Sequence, residues 1–114
     1  VCGNLNSIRT ICDVRDTVRA YSMLDDSMAG EVYNIGGTAS FKLSDLLTYM
    51  FSLSTYKGLY RITEAKHLLR PADVTLQVPD SSKFMSKTGW KPEISIEKTI
   101  QDLLQFWREV VQIL

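Results

Sequence analysis

Apolar residues recur at steps of three and four along three stretches of the chain, and this spacing is typical of amphipathic helices. We predict helices over residues 13–29, 40–55 and 95–112. Asp13 and Ser95 are suited to cap the first and last of these helices, because their side-chain oxygens can accept hydrogen bonds from unpaired backbone N–H groups. The apolar positions that we expect to face the core are Val14, Val18, Tyr21, Leu24 and Met28 in the first helix, Leu43, Leu46, Leu47, Met50 and Phe51 in the second, and Ile96, Ile100, Leu103, Leu104, Trp107 and Val111 in the third.

Short segments that favour β structure separate these helices. Residues 4–11, 31–35, 59–63 and 74–78 are rich in β-branched or aromatic side chains, and we predict strands or extended segments there. A further short helix is predicted within residues 79–90. The alternation of helices with short strands predicts a small domain of the mixed α/β class.

Glycine marks two predicted turns. Gly36-Gly37 allows a tight turn and a close approach of backbone. The pair is not a dinucleotide fingerprint, since no third glycine follows at the required spacing. Gly89 lies where the short helix is expected to end.

The chain carries 13 basic and 13 acidic side chains, so its formal net charge is zero. It has no basic field for nucleic acid and no polybasic anchor for a membrane surface, and no apolar run reaches the length of a membrane span. We therefore expect neither nucleic acid nor a membrane as a partner. Cys2, Cys12 and His67 are too few for a metal site, and we expect reduced thiols in a cytoplasmic protein.

The first residue is Val1 rather than methionine, and Val1-Cys2-Gly3-Asn4-Leu5 resembles the inside of a structural element. We expect residues 1–114 to be a single domain cut from a longer protein. A piece of this kind should expose apolar surface that the rest of the protein covers, and should self-associate or swap structural elements between copies.

No complete catalytic set is present in the sequence. His67 is the one histidine, and it has no nucleophile partner nearby in sequence for a Ser-His-Asp or Cys-His site. No tyrosine has a lysine four residues later. The residues alone therefore predict an α/β domain with two or three arginines that could bind an anion.

The most distinctive of these arginines precedes a proline. Pro71 fixes its own φ and disfavours the helical region for Arg70, so the arginine is presented on a stiff backbone. If Pro71 takes the second position of a β-turn, Arg70 and Asp73 converge. Spacing alone favours a surface ion pair between them. The alternative is a small polar site, in which the guanidinium binds phosphate oxygens and the carboxylate accepts sugar hydroxyls.

Several motifs in order along the chain resemble one enzyme family. The similarity is to the C-terminal substrate-binding part of the extended short-chain dehydrogenase/reductases that act on nucleotide sugars. Within that group the chain resembles the GDP-mannose 4,6-dehydratases and the GDP-4-keto-6-deoxymannose reductases. The motifs are Gly3-Asn4-Leu5, Arg9, Asp13-Val14-Arg15-Asp16, Gly30-Glu31-Val32-Tyr33-Asn34-Ile35-Gly36, Leu69-Arg70-Pro71-Ala72-Asp73-Val74 and Thr88-Gly89-Trp90-Lys91-Pro92-Glu93.

The resemblance implies a two-part enzyme. In the family, an N-terminal Rossmann domain binds NADP and carries a Tyr-x-x-x-Lys pair with a Ser or Thr. None of these parts is found in residues 1–114, so we expect no catalytic residue and no cofactor-binding residue here, and no activity of this piece alone. We expect the complete protein to be a homo-oligomer.

The resemblance also assigns substrate-binding residues. Arg9 and Arg70 match the family arginines that contact the diphosphate of a GDP-hexose. Asp73 stands where the dehydratases carry an acidic residue, often glutamate, that holds the ribose hydroxyls. Asn4 matches a position that either helps to bind the nucleotide or serves as a turn residue.

The resemblance leaves more than one reaction open. We expect a GDP-mannose 4,6-dehydratase first, with the reductase or another nucleotide-sugar epimerase or dehydratase as alternatives. Dehydratases commonly follow the first arginine with Asp-Trp-Gly-His, whereas this chain has Thr10-Ile11-Cys12-Asp13. A stand-alone binding module without catalysis is a hypothesis of a different class.

Overall fold

A computed structural model describes residues 1–113, and for Ile113 it describes the backbone alone. The end of the predicted domain at position 114 therefore lies outside the described residues. Within these residues the fold is a small mixed α/β arrangement, as predicted. Two short 3₁₀ helices, Asp26–Met28 and Lys66–Leu68, accompany the main elements. The main elements are β1 (Ile8–Thr10), α1 (Val14–Tyr21), β2 (Ser40–Lys42), α2 (Leu43–Ser52), β3 (Leu76–Gln77), α3 (Ser82–Thr88) and α4 (Ile96–Ile113).

The chain divides into two compact units. The first unit consists of Val1–Arg9 and Phe41–Gln77, and the second consists of Thr10–Ser40 and the chain from Val78 onward. The first unit therefore contains α2 and β3. The second contains α1, α3 and α4.

The three strands form one sheet in which β1 lies between β2 and β3. β1 and β3 run parallel, with Ile8 opposite Leu76 and Arg9 opposite Gln77. The Ile8 N–H donates to the Thr75 carbonyl at 2.8 Å. This pairing brings the residues before β1 beside the residues before β3.

Two of the predicted strands are wrong. Residues 31–35 and 59–63 contain no strand, because a strand needs a ladder of backbone hydrogen bonds to a neighbouring strand. No described segment forms such a ladder with either of them. Next to residues 59–63, Cys2 and Glu64 form a single parallel bridge. The strands predicted over residues 4–11 and 74–78 shrink to β1 and β3.

The predicted helices are shorter than their apolar patterns suggested. α1 ends at Tyr21 instead of continuing to residue 29, because the Asp25 carboxylate accepts a hydrogen bond from the Ser27 N–H at 2.8 Å and starts a separate 3₁₀ turn. The first residues of the helix predicted over 40–55 form β2 instead, and α2 follows it. α3 ends at Gly89 in the left-handed conformation, with φ 73°, as glycine permits.

The predicted inward face of α1 is wrong. Val14, Val18 and Tyr21 are 71%, 60% and 61% exposed, whereas Asp16 and Ala20 are buried. The periodicity of apolar residues distinguishes two faces of a helix, but it does not show which face packs against the rest of this chain. Here the small Ala20 and the bonded Asp16 carboxylate lie on the inside of the second unit.

α4 packs mainly through its first half. Ile100 is buried and Leu104 is half-buried, but Trp107 and Val111 are exposed, so the prediction that Trp107 faces the core is wrong. The Trp107 ring instead lies edge-on to Phe106, with 5.4 Å between ring centroids. Neither α4 nor any other helix within residues 1–113 combines the length and apolar character that a membrane span needs.

The core of the second unit is built around Phe84. Its ring makes edge-to-face contacts with Tyr33 and Trp90, each at 5.7 Å between centroids. Ala20 and Met28 complete the buried cluster. Edge-to-face pairs of this kind favour one arrangement of the rings and stabilise it beyond the area that they bury.

The glycine pair allows close packing in this unit, as predicted, but the tight turn predicted there is wrong, because the backbone at residues 36 and 37 does not turn. A Cβ on Gly37 would lie 2.1 Å from the Ile11 carbonyl oxygen, and one on Gly36 would lie 2.5 Å from Pro79 Cγ. Both distances are far below van der Waals contact. A side chain at Gly37 would force a backbone shift, because the obstructing atom there belongs to the main chain.

A buried carboxylate joins α1 to the segment that precedes α4. Asp16 Oδ2 accepts from the N–H groups of Glu93 and Ile94 at 3.0 and 2.9 Å, and Oδ1 accepts from Arg19 Nη2 at 2.7 Å. Burial raises the pKa of Asp16, but these bonds outweigh burial and the pKa lies below its ordinary value. The Asp16 carbonyl also accepts from Trp90 Nε1 at 3.0 Å.

Asp13 caps α1 as predicted, and it also binds α4. Its carboxylate accepts from the Arg15 N–H at 2.9 Å, from the Arg15 guanidinium at two atoms, and from Thr99 Oγ1 at 2.6 Å. These hydrogen bonds, the one from the Arg15 side chain first, hold the pKa of Asp13 well below its ordinary value against burial. Arg15 Nη1 extends the network to Asp102 at 2.8 Å.

Replacement of Asp16 tests the buried carboxylate. Asp16→Asn keeps the size of the side chain but turns an NH₂ group toward donors, so we expect a loss of about 1.5–3 kcal/mol in the free energy of unfolding, the range for hydrogen bonds to charged groups. Urea unfolding of the 114-residue chain measures this. Asp26→Asn, at an exposed position, is the control and should stay within about 0.5 kcal/mol. Equal losses for both variants would contradict the assignment.

A second pair of variants tests which face of α1 is inside. Val18→Thr should change the free energy of unfolding by less than about 0.5 kcal/mol, because Val18 is exposed. Ala20→Leu should cost about 1–3 kcal/mol, because it overpacks a fully buried position. Both are measured by urea unfolding at one protein concentration. A larger loss for Val18→Thr than for Ala20→Leu would show that the helix packs through its apolar stripe after all.

Candidate functional site

The candidate site lies in the first unit, where two segments distant in sequence meet. Asn4 and Ser7 lie on the segment that leads into β1, Arg9 lies within β1, and Asp73 lies three residues before β3. The parallel pairing of β1 with β3 positions these segments side by side. Asp73 is 64 to 69 positions from its partners along the chain, so the site exists only in the folded protein.

The Asp73 carboxylate is the centre of this site. Its Oδ2 atom accepts a hydrogen bond from Asn4 Nδ2 at 2.7 Å and another from Ser7 Oγ at 3.2 Å. Its Oδ1 atom accepts from Arg9 Nη2 at 3.4 Å. Arg9 and Asp73 side chains are 23% and 25% exposed, so the pair is partly withdrawn from water.

These contacts keep Asp73 ionised. The hydrogen bond from Asn4 lowers the pKa of Asp73 below its ordinary value, and the bond from Ser7 and the charges of Arg9 and Arg70 act in the same direction against desolvation. Ser7 is buried. It therefore acts on the carboxylate from the protein side.

Asn4 serves as a turn residue and as a donor at once. Its Oδ1 atom accepts from the Asn6 N–H at 2.9 Å, which is the local bond of an Asx-turn, while its Nδ2 atom donates to Asp73. The turn role stated from sequence is therefore confirmed, whereas contact of Asn4 with a nucleotide stays a prediction. The turn fixes the direction in which the amide donates.

Arg9 is held from two sides. Nη1 donates to the Ile8 carbonyl at 2.9 Å, and Nη2 points to Asp73. A guanidinium has five N–H donors. Within the described residues, these two contacts leave further Arg9 donors for an incoming anion.

The predicted ion pair between Arg70 and Asp73 is wrong. Arg70 is exposed and forms no hydrogen bond or ion pair within the part of the chain that the structure describes, although its charge acts on Asp73 through space. Residues 70–73 form a bend, and Asn4, Ser7 and Arg9 draw the carboxylate toward β1 instead. The ion pair of the site is Arg9–Asp73.

A glycine allows the two segments to approach. A Cβ on Gly3 would lie 3.1 Å from the carbonyl oxygen of Leu68, two residues before Arg70. Such a contact is tighter than an ordinary one, so a side chain here would push apart the segments that carry Asn4 and Arg70. Gly3 thus supports the geometry of the site without any polar contact of its own.

This arrangement suits an anion. Two guanidinium groups and one carboxylate give a local charge of +1, and arginine forks match phosphate oxygens. His67 lies in the exposed 3₁₀ turn Lys66–Leu68. Among residues 1–113, no three His, Cys, Asp or Glu side chains are grouped to hold a metal ion. No sequence signal marks Ser7, because a serine before a strand is common.

Comparison with known proteins identifies relatives over nearly the whole chain. A family model described as GDP-mannose 4,6 dehydratase matches residues 1–103. The chain is 26% identical over 111 residues to the GDP-6-deoxy-D-mannose reductase of Pseudomonas aeruginosa, and the match covers 96% of this chain and 36% of the relative. The chain thus spans about a third of the length of such relatives.

Solved structures have the same fold over this part. The structure of RMD from Pseudomonas aeruginosa complexed with NADPH superposes with a TM-score of 0.81 at 26% identity, covering 95% of this chain and 35% of that one. UDP-glucose 4-epimerase from Thermotoga maritima with UDP-glucose gives 0.78 at 24% identity, covering 97% and 35%.

The extended short-chain dehydrogenase/reductases were predicted from the order of the motifs, and the comparisons confirm that prediction. The family model covers nine-tenths of the 114 residues, including every candidate site residue. The chain belongs to the GDP-mannose 4,6 dehydratase family.

Proposed function

We propose that residues 1–114 are the C-terminal, substrate-binding domain of an NADP-dependent enzyme that modifies a GDP-linked hexose. Family membership supports the class of enzyme. The structurally similar RMD from Pseudomonas aeruginosa was solved with NADPH, which supports a nicotinamide cofactor. In this proposal the cofactor and the catalytic residues belong to sequence outside these residues, because the chain has neither a dinucleotide fingerprint nor a Tyr-x-x-x-Lys pair.

The observation that carries the proposal is the group of Arg9, Arg70 and Asp73. Two arginines from distant segments act on one carboxylate, and Arg9 keeps unused donors. Two guanidinium groups near each other repel unless an anion lies between them. A diphosphate supplies several oxygens for both forks, and we assign it to Arg9 and Arg70, with Asn4 and Asp73 completing the site.

The reaction that we propose first is the 4,6-dehydration of GDP-mannose, after the family model. The second candidate is reduction of the 4-keto sugar. It is favoured by the similarity to a GDP-6-deoxy-D-mannose reductase and by Thr10-Ile11-Cys12-Asp13, which differs from the usual dehydratase sequence. Both reactions use the same nucleotide diphosphate, so the site described here suits either one.

Product analysis on the complete protein separates the candidates. A dehydratase converts GDP-mannose to the 4-keto-6-deoxy product with loss of water and no net consumption of cofactor. A reductase leaves GDP-mannose unchanged and consumes NADPH only with the 4-keto sugar. Binding of GDP without turnover of either compound would favour a stand-alone module. We expect residues 1–114 alone to be inactive.

We further propose a cytoplasmic homo-oligomer. Cys2 and Cys12 are both free, which suits a reducing compartment. The exposed apolar residues Val18 and Trp107 offer surface for association. Sedimentation of the complete protein measures its assembly state.

Replacement of Arg70 tests the proposed diphosphate contact. In the complete protein, Arg70→Ala should weaken GDP binding by about 1.5–3 kcal/mol, the range for hydrogen bonds to charged groups. Arg70→Lys should recover only part of the loss, because an ammonium cannot form the fork. NADP binding should stay nearly unchanged. Calorimetric titration with each ligand measures both affinities.

Arg61→Ala is the matched control, since Arg61 is another exposed arginine of the first unit. It removes the same charge and should leave GDP affinity close to that of the unmodified protein. Unchanged GDP affinity in Arg70→Ala, together with a lower melting temperature, would mean that Arg70 only supports the bend at residues 70–73.

A further inference from the structure

Charge is distributed unequally between the two units, although the chain as a whole is neutral. The first unit, Val1–Arg9 with Phe41–Gln77, has six basic and three acidic side chains, so its net charge is +3. The basic ones are Arg9, Lys42, Lys57, Arg61, Lys66 and Arg70, and the acidic ones are Asp45, Glu64 and Asp73. The other seven basic and ten acidic side chains belong to the second unit, whose net charge is −3. The candidate anion site therefore lies in the positive unit.

Most of the cations of the first unit lie close together in sequence and are not paired with carboxylates. Residues 57–70, which we call the basic segment, contain a single acidic residue, Glu64, and four basic residues, Lys57, Arg61, Lys66 and Arg70. These four basic side chains are exposed, and none forms an ion pair or hydrogen bond with the described residues 1–113. The second unit differs, since ion pairs there involve Arg15, Arg19, Lys83 and Lys98.

Backbone hydrogen bonds hold the basic segment against the start of the chain. The Cys2 N–H donates to the Thr63 carbonyl at 2.8 Å, and the Ala65 N–H donates to the Cys2 carbonyl at 2.9 Å. Cys2 is two residues before Asn4, whose side chain belongs to the candidate site, and Lys66 directly follows Ala65. Unpaired cations therefore lie on a segment that runs beside the candidate site.

We propose that Lys57, Arg61 and Lys66 attract the anionic substrate toward Arg9 and Arg70 without binding it. The proposal rests on the proposed function in taking the substrate to carry a nucleotide diphosphate. A group of cations that no carboxylate neutralises raises the local concentration of an anion, and such a field accelerates association by about tenfold or more at low salt. Cations that are already paired with carboxylates largely cancel their own field and would not have this effect.

Salt distinguishes attraction at a distance from direct contact. The Debye length is about 30 Å at 0.01 M salt but about 8 Å at 0.15 M, so exposed charges act over a much shorter range at physiological salt. A single charge of the basic segment therefore changes association by less than about twofold there, in agreement with the small effect expected for Arg61→Ala. Charges at the rim of a site act mainly on the association rate and on its salt dependence.

Stopped-flow measurement of association tests this role in the complete protein. The probe is GDP that carries a fluorescent N-methylanthraniloyl group, mixed with protein at about 0.01 M and at about 1 M salt, where the Debye length is about 3 Å. The variant combines Lys57→Glu with Lys66→Glu. We expect its association rate constant to fall about tenfold at the lower salt concentration and by less than about twofold at the higher one, with an unchanged dissociation rate constant.

A matched control separates the local field from the charge of the whole protein. It combines Lys87→Glu with Lys91→Glu, which replace two exposed cations of the second unit and change the total charge by the same amount. Its association rate constant should stay within about twofold of that of the unmodified protein at both salt concentrations. The conservative pair Lys57→Arg with Lys66→Arg keeps both charges and should associate as fast as the unmodified protein.

Each other outcome has a defined meaning. Faster dissociation that persists at high salt would show that the two lysines bind the ligand directly, and would overturn the proposal. Equal slowing of the variant and the control would also overturn it, because the effect would then come from total charge. Failure of the unmodified protein to bind the probe at either salt concentration would instead refute the proposed function.

A second copy of the protein is the other occupant that the basic segment could have. An unchanged association rate at low salt, together with loss of self-association in sedimentation, would assign the segment to contact with an acidic surface of that copy and would overturn the proposal. Lys57→Gln with Lys66→Gln removes the charges without reversing them and replaces the glutamate variant if that one does not fold. We expect it to slow association about threefold at low salt, and no slowing in the folded variant would be equally decisive against the proposal.

Discussion

A carboxylate that is removed from water needs hydrogen-bond donors from the protein. Each of the two units contains one such carboxylate, and it connects segments that are distant in sequence. Asp73 joins the start of the chain to the segment before β3 across 64 to 69 positions. Asp16 joins α1 to the segment before α4 across 77 and 78 positions. Asp16 is buried, so leaving its charge unpaired would strongly destabilise the fold, whereas Asp73 is partly exposed and favours the pairing of its segments less strongly.

The difference between predicted and observed helices follows from the same constraint. Local signals were sufficient for the cap at Asp13 and for the end of α3 at Gly89, because both depend on a few neighbouring residues. The inward face of α1 could not be predicted in this way. Its apolar stripe suggested Val18 as a core residue, but within this chain the donors for Asp16 lie on the opposite side. Burial depends on partners that periodicity does not describe.

The candidate site shows the same difference between features that neighbouring residues determine and features that depend on distant parts of the chain. Arg9, Arg70 and Asp73 could be selected from motifs, but their contacts could not, since spacing suggested that Asp73 pairs with a residue three positions away. The folded chain offers it Asn4 and Arg9 instead, through the parallel pairing of β1 with β3. A long-range parallel pairing leaves no signal at short range in sequence.

The chemistry of the candidate site is consistent with the proposal that binding and catalysis reside in different parts of one enzyme. Arg9 and Arg70 remain protonated in proteins and cannot accept a proton. Asp73 remains ionised because its pKa is lowered, so it has no proton to donate near neutral pH. Such groups can orient a charged handle. A ketone reduction must also add a proton to the carbonyl oxygen, and a dehydration must add one to the oxygen that leaves as water, so both reactions need a proton donor. The proposed assignment of the proton donor to another part of the protein follows, because none of these three side chains donates a proton near neutral pH.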